Sequence, residues 1–476
     1  MAHTSKDGLL ALIRDGKPMT LRQQLLLTAS LSVPAIMAQL SSIIMQYIDA
    51  SMVGSLGADD SASIGLVSTT LWLFGGICSA VTTGFTVQVA HLLGAKKNEQ
   101  ARHVLRQSMV VCLLFGLLIV AVGAAISGPL PHWLGGHEDI IPAASTYFLI
   151  FVIGLPLLTI DFLASGMLRS SGNMKVPSLL NIVMCVLDVA FNFLLIFPTR
   201  ELTIAGFSFT MPGAGLGVKG AAIGTITAEA IIAVAMLWYL LTRSPELRLG
   251  QDSRCSYRPT SQCLGKAWHI GMPMGVQHTL MCSAQIIITA IVAPLGSIAL
   301  AANTFAITAE SLCYMPGYGI SEAATTLVGQ SIGAARRELA RQFARITVGL
   351  GMAVMTFMGI LMYVGAPLMM GIMSPVEQVV ALGTQVLRIE AWAEPFFAAA
   401  IVSYGVFVGA GDTLVPCGMN LFSMWAVRLT LAAMLVGTMG LVGVWTALAV
   451  ELTFRGCIYL VRLHSDRWIK VYKQGS

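Results

Sequence analysis

Charge is what this chain has least of. Of its 476 residues only 11% are Asp, Glu, Lys or Arg, while 56% are hydrophobic. Soluble globular proteins carry about 25% charge, so a water-soluble domain is excluded. Other absences narrow the field. The nine cysteines are scattered through apolar stretches with no CxxC pair, so neither a zinc site nor a disulfide framework is expected. The first twenty residues carry Lys6, Asp7, Arg14, Asp15 and Lys17 and have no apolar core, so no signal peptide is read there. GxSxG and HExxH are missing and the eight histidines are dispersed, which disfavours an enzyme and leaves no cofactor expected. The net charge of +5 sits in loops between apolar runs, so no nucleic-acid partner is expected.

What is present is a series of long apolar runs, each able to cross a bilayer as a helix. Twelve are expected, at 24–53, 62–90, 104–127, 140–168, 176–198, 217–242, 264–292, 298–330, 342–366, 378–409, 416–437 and 441–463. Several exceed the ~20 residues a bilayer needs, so tilts or bends are expected. The fold class is an all-α polytopic membrane protein. Basic residues collect in alternate loops: Arg14, Lys17 and Arg22 before the first span, Lys96, Lys97, Arg102 and Arg106 after the second, and Arg169 and Lys175 after the fourth. Arg243, Arg248, Arg254, Arg258 and Lys266 follow the sixth, Arg336, Arg337, Arg341 and Arg345 the eighth, and Arg462, Arg467, Lys470 and Lys473 the last. The other loops hold little beyond Arg200 and Lys219. By the positive-inside rule both termini are expected in the cytoplasm, around a multi-pass protein of the cytoplasmic (inner) membrane.

The chain also repeats itself. Shifted by 239 residues, Pro34 falls on Pro273, Gly57 on Gly296, Thr86 on Thr325, Gly94 on Gly333 and Arg102 on Arg341. Pro156/Pro395, Gly172/Gly411 and Pro177/Pro416 keep the same register. A shared apolar bias would not align prolines and glycines over such a length. Each copy holds six spans, an even number, so the two halves share one orientation and are related by an axis along the membrane normal. The expected organisation is a cytoplasmic N-terminal segment (1–23), a six-helix lobe (24–242), a cytoplasmic linker (243–263), a second six-helix lobe (264–463) and a cytoplasmic tail (464–476), with a cleft between the lobes.

Polar residues inside apolar spans are costly and by default functional. Asp49 lies near the outer end of the first span, and its repeat mate is Ile288. Asp188 and Asn192 are four apart, hence on one helix face. With Thr225 they fall roughly 6–15 Å from the outer edge at 1.5 Å per residue. Two carboxylates, an amide oxygen and a hydroxyl are hard ligands, suited to Na+ or to sharing a proton. A plainer reading makes Asp49 an interfacial acid and Asp188 the partner of a polar neighbour. The second half has Glu310, Glu390, Glu394 and Arg428, with Glu390 and Glu394 expected on one face and Arg428 paired with one of the three glutamates. They form either a second proton or substrate-charge site or a buried pair that fixes helix register. Glu451 and Arg455, four apart, read as structural, while Asp161, Glu229 and Glu322 take no role from sequence. Pro34 removes a backbone hydrogen bond inside the first span, marking either a hinge or a proline tolerated early in a helix. The 26 methionines fit a re-packable binding surface as well as ordinary filler.

The segments Gly271-Met-Pro273, Leu295–Asn303, Met315–Gly333 and Gly409-Ala-Gly-Asp-Thr413, in this order within a duplicated twelve-span chain, resemble the multidrug and toxic compound extrusion (MATE) transporters over essentially the whole length. The resemblance implies two pseudo-symmetric six-helix bundles forming a V-shaped cleft. It also implies secondary active export of small organic compounds, cationic or amphipathic, in exchange for H+ or Na+. One prokaryotic branch of that family uses acids on spans seven and ten, but here span seven has no Asp or Glu. The other uses the first lobe, and there Asp49, Asp188, Asn192 and Thr225 match, with the Asp/Asn order on span five exchanged. These four are then the expected coupling-ion ligands, the bilayer and a small organic substrate are the expected partners, and a monomer is expected. A flippase or exporter of a lipid-linked sugar or a dedicated metabolite is the nearest alternative, and a channel a more distant one.

Overall fold

The computed structural model describes residues 5–204, 207–251 and 256–469. Arg254, Lys470 and Lys473, counted above among the basic residues, lie outside the described residues, as does most of the expected tail. The chain opens with a short helix α1 (Lys6–Arg14), capped by the Ser5 hydroxyl, which accepts from the Gly8 amide at 3.2 Å. α2 (Leu21–Gly54) starts in a capping box, Thr20 and Gln23 satisfying each other's backbone amides. Then come α3 (Ala58–Gly94), α4 (Asn98–Ile126), the one-turn α5 (Leu130–Trp133), α6 (Ile141–Ser170) and α7 (Lys175–Ile196). A hairpin of β1 (Pro198–Ile204) and β2 (Phe207–Ala214) leads to α8 (Gly217–Thr242). The second half holds α9 (Ser261–Val292), α10 (Ser297–Gly333), α11 (Arg337–Met373), α12 (Glu377–Ala391) and α13 (Glu394–Gly409). It closes with α14 (Leu414–Leu421), a π-helical turn at Phe422–Arg428, α15 (Leu429–Met439) and α16 (Leu441–His464).

Among the described residues 11 helices are long and apolar enough to cross a membrane, and 12 if α12 and α13 count as one span. That pair departs from the single continuous span expected over 378–409: it bends by 59°. Pro395 explains the break. It sits in the first turn of α13, and its ring collides with the carbonyl four residues back, on Ala391, where α12 ends. Pro34, by contrast, lies well inside a 34-residue α2 that continues through it, so it is not a first-turn proline.

α2, α3, α4, α6, α7 and α8 pack among themselves, as do α9 to α16, and the halves meet where α2 crosses α10, α3 crosses α9, and α3 crosses α10. The repeat persists down to single hydrogen bonds. His91 Nε2 lies 2.7 Å from the Gly409 carbonyl, and its repeat mate Gln330 donates at 2.7 Å to the carbonyl of Ser170, the repeat mate of Gly409. Both bonds cross between the halves.

The crossing is tightest at one end, although farther along Gly319 still presses on α2 at Ile36 and the Tyr47 hydroxyl donates to the Thr308 carbonyl across the halves. From Thr326 to Gly333 every residue of α10 is buried, whereas between Ser297 and Met315 little more than one residue in three is. A Cβ on Gly94 would stand 2.1 Å from the Gln330 carbonyl oxygen, and one on Gly333 2.0 Å from that of His91. Backbone meets backbone there, and glycine is the only residue that permits it. This closed end also carries the basic residues: Lys96, Arg102, Arg106, Arg169 and Arg336 all bond around it.

Helix α1 lies across the seam at this basic end, its apolar face (Leu9, Leu10, Leu12, Ile13) buried in a cluster with Ile332, Phe343, Leu463 and Trp468. Arg14 donates to Glu246 Oε1 at 2.8 Å, to the Ser171 carbonyl at 2.9 Å and to Gln330 Oε1 at 3.3 Å, so one side chain ties linker, first half and second half together. Truncating it leaves a half-buried carboxylate and a carbonyl short of donors, a loss of about 1–3 kcal/mol. Arg14→Ala is therefore expected to lower the thermal midpoint of the detergent-purified protein by a few degrees; an unchanged midpoint would show that α1 rests on the bundle without holding it.

Candidate functional site

Asp49, Asp188, Asn192 and Thr225 come from three helices, α2, α7 and α8, and meet in the half remote from the basic end. Asn192 Nδ2 donates to Asp49 Oδ1 at 3.0 Å and to Asp188 Oδ2 at 3.2 Å. Thr225 and the Asp49 carboxyl group both lie beside the Asp188 carboxyl group. Ionised carboxylates only accept, so two of them side by side repel unless a proton or a cation lies between them. Asp188 and Asn192 are fully buried. The helix-turn spacing of Asp188 and Asn192 puts both on the α7 face that packs against α2 and α8. Close approach of α8 depends on Gly224, where a Cβ would meet Asn192 Oδ1 at 2.1 Å.

Two oxygens at this site, Asp188 Oδ1 and Asn192 Oδ1, are buried and have no hydrogen-bond partner. Unpaired buried acceptors cost about 1–3 kcal/mol each, so each of these oxygens calls for a donor or a cation. Above the site Val53, Ile196 and Ala221 pack with Met52, Leu56, Tyr147 and Phe197 into an apolar cap. The hairpin continues the cap: β2 packs on α7, and Arg200 lies over the Phe193 and Phe197 rings at 4.5 and 4.1 Å. Water is thus kept from one side of the acids. The hairpin falls between the expected spans 176–198 and 217–242, and the alternation in Leu202-Thr203-Ile204 and Phe207-Ser208-Phe209-Thr210 is its period-two signature. Tyr147, close enough to feel the charge of both aspartates, had no such signal.

The site has no counterpart in the second half. The repeat mates of Asp49, Asp188 and Asn192 are Ile288, Val427 and Leu431, and Ile288 is part of an apolar core. The second half holds a different set of acids. Glu310, Glu390 and Glu394 are buried, Glu390 within hydrogen-bonding range of Glu310 and Glu394 beside the Cys313 thiol. None of the four carboxyl oxygens of Glu390 and Glu394 finds a hydrogen-bond partner. Glu390 and Glu394 do not share one helix face as expected, because the break at Trp392 and Ala393 separates them; the bend itself brings them to Glu310.

The expected pairing of Arg428 with one of these three glutamates is wrong. Arg428 donates to Glu451 Oε2 through Nη2 at 2.7 Å and Nε at 3.0 Å. Arg455 reaches Glu451 Oε1 at 2.9 Å, and the Ser423 hydroxyl also donates to that carboxylate. The π-helical turn at Phe422–Arg428 supplies the reason: its extra residue per turn rotates Arg428 toward α16 and Glu451. Glu451 and Arg455 pair across one helix turn, with Arg428 as third member.

Long apolar helices, a duplicated six-helix plan and clusters of buried acids define a polytopic membrane protein. The model of the MatE family matches the chain twice, over residues 34–194 and 273–434, and the chain belongs to that family. Among curated relatives it is 24% identical over 443 residues to the probable multidrug resistance protein NorM of Thermotoga maritima, covering 92% of either chain. It is 26% identical to the protein of the same name in Neisseria meningitidis serogroup B, over 98% of this chain and 99% of that one. Among solved structures, a MATE crystallised in complex with MaL6 superposes with a TM-score of 0.86 at 17% identity, covering 96% of this chain and 99% of that one; at that identity the likeness establishes the two-lobed, V-shaped fold.

Proposed function

We propose that this protein exports organic compounds, cationic or amphipathic, across the cytoplasmic membrane in exchange for H+ or Na+ bound at Asp49, Asp188, Asn192 and Thr225. The relatives' printed names as multidrug resistance proteins support the compound class, and family membership supports export. The observation that carries the coupling is the aspartate pair on two different helices, joined by the Asn192 amide, with Asp188 Oδ1 and Asn192 Oδ1 buried and unpaired. Binding a cation there draws α2 toward α7 and α8 and narrows the first-lobe side of the cleft. Pro34 lies where α2 meets α10, as a Cβ on Gly319 would stand 2.7 Å from the Ile36 amide nitrogen, so a bend at Pro34 changes the contact between lobes. The protein acts as a monomer with both termini in the cytoplasm.

Proteoliposomes test the exchange: export of an organic cation such as ethidium should begin when an inward H+ or Na+ gradient is imposed and stop when it collapses. Export indifferent to both gradients would refute coupling, and a steady ion current without substrate would identify a channel. Orientation is tested separately. A Cys introduced at Ser253, in a background without other reactive thiols, should resist an impermeant reagent applied outside intact cells; labelling from outside would invert the topology.

A further inference from the structure

We propose that Glu322 is the receptor for the positive charge of the exported compound, and that Arg169 is a tethered competitor that occupies it in the conformation seen here. The inference rests on the substrate class proposed above. Glu322, on α10, belongs to the second half; its partners belong to the first. Arg169 Nη1, from the end of α6, lies 2.6 Å from Glu322 Oε1, and Gln39 Nε2, from α2, donates to the same oxygen at 3.1 Å.

The position is what gives the pair a role beyond closure. Toward the basic end α10 is sealed between the lobes. On the other side Tyr318, one turn above Glu322, is 42% exposed. Glu322 therefore stands on the floor of the space between the lobes. Its side chain keeps 23% accessibility and that of Arg169 26%. Tyr314, Tyr318 and Glu322 follow one another at four-residue spacing on one face of α10. The Tyr314 ring lies 5.9 Å from that of Tyr318 and 5.5 Å from that of Phe397. A carboxylate beneath aromatic faces is the chemistry that receives an organic cation.

A bond that joins the lobes breaks when they part at the basic end. Glu322 then loses its guanidinium while still surrounded by protein, where an uncompensated carboxylate is costly. An organic cation entering from that end restores the missing charge. When the lobes close again, Arg169 returns, and a guanidinium held on the backbone displaces a ligand that is free to leave. Loading and release thus become two occupancies of one carboxylate, alternating with the seam.

The test is equilibrium binding of tetraphenylphosphonium to the purified full-length protein, with uncharged triphenylphosphine oxide as control. Glu322→Gln should weaken phosphonium binding by at least about tenfold, the expected size for one charge-assisted contact, and change oxide binding less than about twofold. Arg169→Gln should tighten phosphonium binding by removing the competitor. The exchange Arg169→Glu with Glu322→Arg rebuilds the pair and the seal, so it should fold and melt like wild type yet bind the phosphonium as poorly as Glu322→Gln. If Glu322→Gln weakens both compounds equally, or neither, or if the charge-exchanged protein binds the phosphonium normally, the pair is only a lock and the proposal fails. If wild-type protein binds the oxide but no organic cation at all, the substrate class falls, and this inference with it.

Discussion

Asp49→Asn is expected to abolish gradient-driven export while leaving a folded protein that still binds its substrate. The replacement is nearly isosteric, and its side-chain oxygen still accepts the bond that Asn192 Nδ2 gives Asp49 at 3.0 Å, so the α2–α7 contact survives. What disappears is the second ionisable group beside Asp188. Two carboxylates in contact cannot both carry charge cheaply and titrate as a unit; one carboxylate beside an amide has no repulsion for a cation to relieve. In wild-type protein, substrate affinity should fall as pH drops, and Na+ should lower it at high pH, by a coupling factor of about 5- to 150-fold. Asp49→Asn should remove both responses together, and Pro34→Ala should slow exchange without moving the pH midpoint. Wild-type affinity that stays flat from about pH 5 to 9 at high and low Na+ would rule this competition out. Transport at wild-type rate by Asp49→Asn, together with failure of Glu394→Gln, would move the coupling site to the buried glutamates of the second lobe.

Much of this site is legible in the sequence because an acid inside an apolar helix has few innocent explanations. Asp49 and Asp188 stand out by rarity, Asn192 by its spacing from Asp188, and the duplication by prolines and glycines in constant register. Other features depend on how helices turn against one another. The partner of Arg428 lies 23 residues away on α16, and a π-helical turn that no residue pattern announces decides which way the guanidinium points. The bend between α12 and α13 is written in Pro395, yet a proline inside α2 at position 34 leaves that helix continuous, so the residue alone does not fix the outcome. Arg169 and Glu322 carry no mark of each other in sequence, because only the meeting of the lobes brings them together.

The meeting of the lobes is also where a single methyl group should have the largest consequence. Gly94→Ala or Gly333→Ala places a Cβ about 2 Å from a backbone carbonyl of the opposite lobe, and no side chain can rotate away to make room. The new atom clashes only while the basic end is closed; once the lobes part it faces open space. The substitution therefore penalises one conformation and spares the other. Overpacking costs typically about 1–3 kcal/mol, which at 1.4 kcal/mol per tenfold shifts the balance toward the parted state by roughly 5- to 150-fold. The bonds from His91 to Gly409 and from Gln330 to Ser170 would be lost with the contact. Export should fall accordingly, because a cycle that cannot seal one side dissipates the gradient or stalls. A Cys placed at Thr326, buried in the seam with its hydroxyl on the Arg169 carbonyl of the opposite lobe, should be protected from a thiol reagent in otherwise wild-type protein and labelled when Gly94→Ala is added. Gly349→Ala, where nothing lies within 4 Å, serves as the control with neither effect. If Gly94→Ala exports at the wild-type rate and the thiol at position 326 stays protected, the glycine crossing does not set the balance between the two conformations.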